Sequence, residues 1–460
     1  MIVNFNETNE YRYIEAVRAL SSGNERRVYA ITFGCQQNEA DTERLLSMCD
    51  DMGYSLTDNP ESADLILLNT CAIREHAEMK ALSLLGRFKA LKKQKSALVI
   101  GVCGCIPAVK EMHDRLKESF HYVDFTLEPS SIYKLPSSLY TVLSERIRQY
   151  HSGEDNGELV EGIEPKRSFG HKAWLSIMYG CNNFCSYCIV PYTRGRERSR
   201  ESRQVIDQAK LLVADGVKEI TLLGQNVNSY RSDMDFSHLI ENIANIDGDF
   251  IIRFMTSHPK DVSDRLISVM KEYSPKIAPY FHLPLQSGSD TILKRMNRSY
   301  TRDGVIDLAQ KLKSSVSGIA LSTDVIVGFP GESDTDFADT LSVLDKVRFD
   351  SVYAFAYSKR IGTPASRMDD QLSEKVKSDR LARLFELQDG ISHELNQAYL
   401  GRTERVLVDS GSKRSGFAAL SGRTYSNKLV HIDADDSLIG NFCQVEIVRA
   451  DKYNLIGKIK

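Results

Sequence analysis

Three cysteines in one short loop carry the clearest chemical signal in the sequence. They follow the spacing C-x3-C-x2-C, at Cys181, Cys185 and Cys188. Closed zinc sites usually take four protein ligands, often as two C-x2-C pairs, and this loop offers only three thiols. Three thiolates with an open position suit a 4Fe–4S cluster in which one iron is free to bind another molecule. A zinc or disulfide loop is the alternative interpretation.

Further cysteines follow three apolar runs in the first third of the chain. Residues 28–33 lead to Cys35, residues 64–70 to Cys71, and residues 97–102 to Cys103 and Cys105. Each run precedes a stretch with helical character, and this alternation predicts a doubly wound parallel sheet covered by helices on both faces. Ligands of such sheets bind at the carboxyl ends of the strands.

A second metal centre is therefore predicted at Cys35, Cys71 and Cys105. Cys103 stays open as a ligand, but Gly104-Cys105 repeats the Gly-Cys pair at residues 34–35 and so favours Cys105. The alternative is that these thiols are buried as small hydrophobic groups. That alternative suits Cys49, within a predicted helix, and Cys443, within an apolar strand.

The cluster loop follows the first of six strands predicted for the middle of the chain. With helical stretches between them, these strands predict a partial, open (β/α)6 barrel, and such barrels place their sites at the C-terminal ends of the strands. The predicted strands cover residues 174–179, 218–223, 250–255, 280–285, 319–327 and 352–358.

Changes in composition predict the domain boundaries. We expect a polar, mobile N-terminal arm at 1–25, the parallel-sheet domain at 26–148, a linker at 149–168, the barrel with a long helix at 169–396, and a small antiparallel β-barrel at 397–460. The last segment has ten Lys and Arg against seven Asp and Glu. Small basic β-barrels commonly bind RNA.

Four arginines alternate directly after the cluster loop, at Arg194, Arg196, Arg198 and Arg200. Guanidinium groups bind phosphate through paired hydrogen bonds, so this run is a candidate RNA contact. A solvated charged face is the alternative.

Length and composition limit the remaining classes. The 460 residues are 42% hydrophobic and 26% charged, with a net charge of −3 and nine cysteines. The first residues do not resemble a signal peptide, and no run approaches the ~20 apolar residues of a membrane span. We therefore expect a cytoplasmic protein whose cysteines bind metal rather than form disulfides.

Several motifs together resemble the radical S-adenosylmethionine (SAM) methylthiotransferase family, over about residues 27–460. They are TFGCQQN (32–38), NTCAIRE (69–75), GC (104–105), the cysteine loop, VPYTRGRERSR (190–200), HLPLQSGS (282–289) and a C-terminal barrel similar to a TRAM domain. The departures are Gln37, where the family usually has Met, and Cys103, where a residue other than cysteine is usual.

The resemblance implies two 4Fe–4S clusters, one on each cysteine triad, and SAM as both radical source and methyl donor. The loop cluster would reduce SAM to a 5′-deoxyadenosyl radical, and the other triad would hold an auxiliary cluster that carries sulfur. The resemblance also implies that Tyr187, before the last cysteine of the loop, lies against the adenine of SAM. The other expected SAM contacts, from strand-end position and family pattern, are Gln225, Ser257, Gln286 and Asp324.

The implied activity is addition of a methylthio group to C2 of N6-isopentenyladenosine at position 37 of tRNA. Sister enzymes modify threonylcarbamoyladenosine in tRNA or an aspartate of a ribosomal protein, and a non-enzymatic iron–sulfur RNA-binding protein is an alternative of another class. Implied partners are the tRNA anticodon stem-loop and a reducing electron donor such as flavodoxin or ferredoxin. The protein is expected to be a monomer without a membrane partner.

Overall fold

A computed structural model describes residues 2–20, 25–72, 75–151, 153, 159–411 and 420–460. It divides into a parallel-sheet domain, a central set of βα units and a C-terminal barrel. Within those residues, no helix is both long and apolar enough to span a membrane.

The first domain is built on a six-stranded sheet in which every pair is parallel. Its elements are β1 (Ile2–Asn4), α1 (Asn9–Ala19), β2 (Arg26–Thr32), α2 (Gln36–Asp51), β3 (Tyr54–Leu56), β4 (Leu65–Thr70), α3 (Glu75–Gln94), β5 (Val99–Gly104), α4 (Lys110–Ser119), β6 (Phe125–Leu127), α5 (Leu135–Glu145), β7 (Gln149–Tyr150) and β8 (Leu159–Glu161). The strand order is β3-β2-β4-β5-β6-β7. Alternate residues of β4 face different cores, Leu65 and Leu67 on one side and Ile66 and Leu68 on the other. This two-sided burial explains the continuous apolar runs and confirms the predicted doubly wound sheet.

The N-terminal segment is not the mobile arm expected from its polar composition. β1 pairs with β8 in parallel, and α1 packs on α5. Phe5, Ile14 and Val17 are buried in the core of the first domain. Three apolar side chains, two of them one helical turn apart, dock this segment although most of its residues are charged or polar.

The predicted linker at 149–168 is also partly built into the fold. β7 extends the parallel sheet and β8 pairs with β1. Residues 152 and 154–158 of this stretch lie outside the described residues.

The central region contains the six predicted strands, each flanked by helices. Its elements are β9 (Lys172–Ser176), β10 (Met178–Tyr179), α6 (Val190–Thr193), β11 (Arg198–Ser199), α7 (Ser202–Ala214), β12 (Glu219–Leu223), α8 (Phe236–Ala244), β13 (Ile251–Phe254), α9 (Asp264–Glu272), β14 (Tyr280–His282), α10 (Asp290–Arg295), α11 (Arg302–Ser315), β15 (Ala320–Val327), α12 (Asp334–Val347), β16 (Ser351–Ala356) and α13 (Glu374–Gln397). They form two parallel sheets, β13-β12-β9 and β14-β15-β16. An isolated bridge joins Ile252 to Ile277, so the two sheets continue into one another as an open barrel. The first predicted strand is split, since β10 turns away to pair with β11.

The C-terminal segment forms a closed five-stranded barrel. Its strands are β17 (Thr403–Gly411), β18 (Leu420–Thr424), β19 (Leu429–Ile432), β20 (Phe442–Ala450) and β21 (Leu455–Ile459), in the order β17-β18-β19-β21-β20. All pairs are antiparallel except β19 with β21. The barrel docks on the central region through buried ions. Arg253 Nε lies 2.7 Å from Glu219 and the guanidinium also donates to two β18–β19 carbonyls, while Lys428 pairs with Asp350 at 2.8 Å.

Candidate active site

The cluster loop begins at the C-terminal end of the first central strand, as predicted. Gly180 adopts φ +75°, and a Cβ there would lie 2.0 Å from the carbonyl oxygen of Arg196. A side chain at this position would therefore clash with backbone, so glycine is required before Cys181. The far side of the loop is anchored by Ser186, whose amide donates to Met296 O at 3.0 Å and whose hydroxyl donates to Arg295 O at 2.8 Å.

The three loop thiols influence one another electrostatically and lie in a low-dielectric setting. Cys181 and Cys185 are buried, and none of the chain's nine cysteines, all of which lie in described residues, is in a disulfide. Burial and the nearby Cys185 raise the pKa of Cys188 to about 12. Arg298 Nη1 donates a hydrogen bond to Cys185 Sγ at 3.1 Å. Thiols with raised pKa values become ligands when a metal supplies positive charge.

The second triad forms where three parallel strands end. Cys35 follows β2, Cys71 follows β4 and Cys105 follows β5, and Cys105 interacts electrostatically with both other thiols. Gly34, at φ +131°, has so little space that a Cβ would lie 2.8 Å from Cys71 Cβ. Burial raises the pKa of Cys105 to about 11, opposed by the Arg194 guanidinium.

Cys103 points away from this triad. Cys103 packs in the same apolar cluster as Cys49 of α2, and both side chains are fully buried. Cys105 instead packs with Ala72 and with Ile189 of the cluster-loop region. Residues 103 and 105 would share a face if the strand continued, but β5 ends at Gly104, whose φ of +91° turns the chain, so only Cys105 packs against the central region.

The donor set of each triad fits the 4Fe–4S cluster that the sequence predicts. Thiolates are the usual protein ligands of such clusters, and each triad brings three cysteine thiols into electrostatic contact. Within the described residues, no three His, Cys, Asp or Glu side chains form a site for a single metal ion.

Comparison with known proteins decides the family. Residues 175–344 match the Radical SAM superfamily, and residues 27–128 match Uncharacterized protein family UPF0004. The chain is 45% identical to the tRNA-2-methylthio-N(6)-dimethylallyladenosine synthase of Acetivibrio thermocellus, over 98% of this chain and 95% of that protein. It is 45% identical to the synthase of the same name from Alkaliphilus oremlandii, over 97% and 95% of the two chains. The chain belongs to the tRNA-2-methylthio-N(6)-dimethylallyladenosine synthase family.

A solved structure supports the fold alone. A radical SAM methyltransferase, TsrM from Kitasatospora setae, matches with a TM-score of 0.53 at 12% identity, over 74% of each chain. The resemblance found in the motifs and the predicted α/β fold class are thus confirmed.

The residues predicted to contact SAM lie on several elements of the central sheets. Gln225 follows β12, and Ser257 follows β13 and donates its hydroxyl proton to His282 O. Gln286, at φ +64°, is buried, and its backbone N–H donates to the carbonyl oxygen of Asp324 at 2.8 Å. Asp324 lies inside β15 rather than at its end, and its carboxylate is 3.3 Å from His282 Nε2. Tyr187 packs with Phe329 and Tyr357 beside the loop.

The four arginines of the run differ in burial and in their partners. Arg194 and Arg200 are buried; Arg194 pairs with Asp41 at 2.9 Å and Arg200 Nε with Glu161 at 2.7 Å. Arg198 is half-buried and donates to Arg194 O at 3.1 Å. Arg196 alone of the run is exposed. The RNA contact predicted for the run stays a prediction, and Arg196 is the member whose guanidinium faces solvent.

Two residues of the site were not predicted from the sequence. Asp41, on α2 behind Cys35, forms the ion pair with Arg194, and Arg298 contacts Cys185. Asp41 lies one helical turn after Asn38, within the motif that begins at Thr32, and that spacing could have indicated it. Arg298 lies in the loop between α10 and α11, where no neighbouring residue in the sequence distinguishes it from a surface arginine.

Proposed function

We propose that this chain transfers a methylthio group to C2 of N6-isopentenyladenosine at position 37 of tRNA. The main support for this proposal is that two cysteine triads from separate domains lie at one domain interface. The chain that contains them is 45% identical, over nearly its whole length, to proteins named for this product.

The reaction needs more than acid–base catalysis. The C2–H bond of adenine is far too weakly acidic for a carboxylate or an imidazole to remove its proton near neutral pH. A 4Fe–4S cluster on the loop would, together with SAM, supply a carbon radical able to remove this hydrogen atom, and a second cluster would supply the sulfur. Cys181, Cys185 and Cys188 are assigned to the first cluster, and the second is assigned to Cys35, Cys71 and Cys105.

The protein's own groups hold the reactants and shield the site from water. Gln225, Ser257 and Gln286 would bind SAM through polar groups at the mouth of the sheets, Asp324 would bind it from within β15, and Tyr187 would contact its adenine. The buried side chains that join α2 to the loop, Arg194 and Asp41 among them, exclude water between the two triads and fix their separation. Holding two reacting groups in fixed positions can supply much of an enzyme's rate enhancement.

The domains divide this work. Residues 26–148 carry the auxiliary cluster, 169–396 carry the radical chemistry, and the barrel at 397–460 binds tRNA in the manner of a TRAM domain. The chain acts as a cytoplasmic monomer on the tRNA anticodon stem-loop and receives electrons from a flavodoxin or ferredoxin.

The deciding experiment is anaerobic reconstitution followed by mass analysis of nucleosides. Reconstituted protein, SAM and a reductant are incubated with isopentenylated tRNA and, in parallel, with tRNA carrying threonylcarbamoyladenosine. We expect 2-methylthio-N6-isopentenyladenosine from the first tRNA only. Product from the second tRNA alone, or none from either with SAM cleavage intact, would overturn the proposal.

A further inference from the structure

The cluster loop carries an aromatic group that neither triad nor the proposed SAM contacts use. Phe184 lies between Cys181 and Cys185, and Tyr192 lies on α6, with their ring centroids 6.1 Å apart and their planes at 88°. The Arg196 guanidinium lies 4.3 Å from the Phe184 centroid. We call Phe184, Tyr192 and Arg196 the loop platform.

The backbone of the loop platform is fixed by its neighbours. Phe184 adopts φ +46°, which bulky residues rarely do, and Asn297 Nδ2 donates to its carbonyl oxygen at 3.0 Å. The backbone of Arg196 is packed against Gly180, with no room for a Cβ between them. Strained backbone persists where its surroundings over-determine it, and this commonly marks ligand contacts.

Side chains of the loop platform are nevertheless exposed to solvent. Tyr192 is 49% exposed, and Arg196 is exposed as well. Ile361, which is 62% exposed, lies in a neighbouring loop that is tied to the cluster loop through the Ala365 amide and Ser186 O, 2.8 Å apart. The result is an apolar, cationic surface directly beside the cluster cysteines.

Flat rings combined with a guanidinium form the usual surface for stacking a nucleobase, because every base has a π face and the cation favours the phosphates around it. An adenosine that reacts inside a protein must leave the stack of its neighbours. The adjacent base then loses a stacking partner, and an aromatic surface beside the site can replace it.

We propose that the loop platform stacks an unpaired nucleobase of the anticodon loop that adjoins the target adenosine. This inference rests on the proposed function, because it takes tRNA as the substrate. It assigns Phe184 and Tyr192 to recognition of the RNA rather than to the clusters or to SAM.

The test uses the reconstituted full-length protein and an anticodon stem-loop RNA with 2-aminopurine beside the isopentenyladenosine. We expect binding of the wild-type protein to quench the 2-aminopurine fluorescence. Tyr192→Leu and Phe184→Leu should each weaken binding about tenfold and reduce the quenching. The salt dependence of binding should keep its slope, because no charge is removed.

Tyr11→Leu is the matched control, since Tyr11 is 46% exposed on α1 and belongs to the first domain. Iron content verifies that each variant is folded and loaded. Tyr192→Leu that binds and quenches as the wild type does would overturn the platform. Weakened binding in the platform variants, together with wild-type protein that makes no methylthio nucleoside, would support the platform and overturn the proposed function instead.

Discussion

Arg194, which follows the cluster loop, and Asp41 of α2 form an ion pair across the domain interface, with 2.9 Å between Nη2 and Oδ2 and both side chains 3% exposed. Arg194 Nη2 also lies 3.3 Å from Asn38 Oδ1, and that oxygen lies 3.2 Å from Cys35 Sγ. The guanidinium therefore links the central region to the base of the auxiliary triad. A charge buried at this depth is tolerated because it has both a counter-charge and hydrogen bonds.

Removing one member of this pair should destabilise the protein strongly. Asp41→Asn leaves the Arg194 guanidinium buried without its counter-charge, for which we expect a loss of about 3–5 kcal/mol in the free energy of unfolding. Urea denaturation measures the loss. Asp207→Asn is the control: Asp207 is 53% exposed beside Arg203, and its loss should cost under about 0.5 kcal/mol. Equal effects from the two variants would contradict the structural role of the pair.

Variants of the two triads should differ in iron content and in the products that they form. Replacing Cys35, Cys71 and Cys105 together with Ala should leave about four of eight irons, since each cubane holds four. That variant should still form 5′-deoxyadenosine from SAM but make no methylthio nucleoside. The equivalent variant at Cys181, Cys185 and Cys188 should lose both products. Thiolation by the first variant would show that the N-terminal triad does not hold the sulfur.

Cys103 should be dispensable for the clusters. Because its thiol lies in the apolar cluster with Cys49, Cys103→Ala should keep about eight irons and lose about 1 kcal/mol in the free energy of unfolding, as for a small core deletion. Cys105→Ala, two residues away, should lose the auxiliary cluster instead. Iron analysis and urea denaturation of the two variants distinguish the roles, and loss of iron in Cys103→Ala would reverse the assignment.

His258 should make the protein less stable as the pH falls. Burial, with Arg298 and Lys260 nearby, lowers its pKa to about 2, and its Nδ1 accepts a hydrogen bond from the Lys260 amide at 3.3 Å. Below the unfolded pKa of about 6.5 the unfolded chain binds a proton here that the folded protein does not, so stability is lost as pH falls. His258→Gln should reduce that slope by up to about 1.4 kcal/mol per pH unit below pH 6.5. Denaturation at several pH values measures it, and parallel slopes for variant and wild type would contradict it.

The sequence predicted what repeats along the chain and missed what depends on distant contacts. Apolar runs followed by helices were enough to place Cys35, Cys71 and Cys105 at strand ends, because period and alternation are local properties. The docking of Ile14 and Val17 depends on α5, more than a hundred residues away, and composition alone suggested a mobile arm. The burial of Arg194 likewise depends on Asp41 in another domain, so four alternating arginines looked equivalent although they are not.

Arg196 and Arg200 should therefore differ in their effect on tRNA binding. Arg196 is exposed over Phe184, so Arg196→Ala should weaken tRNA binding and reduce the salt slope of binding by roughly 0.7–0.9, the value for one lost phosphate contact. Arg200 is buried against Glu161, so Arg200→Ala should lower the urea midpoint and leave the salt slope of the folded protein unchanged. Filter binding of tRNA at several salt concentrations, with the folded fraction determined in parallel, separates the two. A cation that binds a phosphate must release counterions. An unchanged salt slope in Arg196→Ala would therefore mean that this guanidinium contacts only the cluster loop and no phosphate.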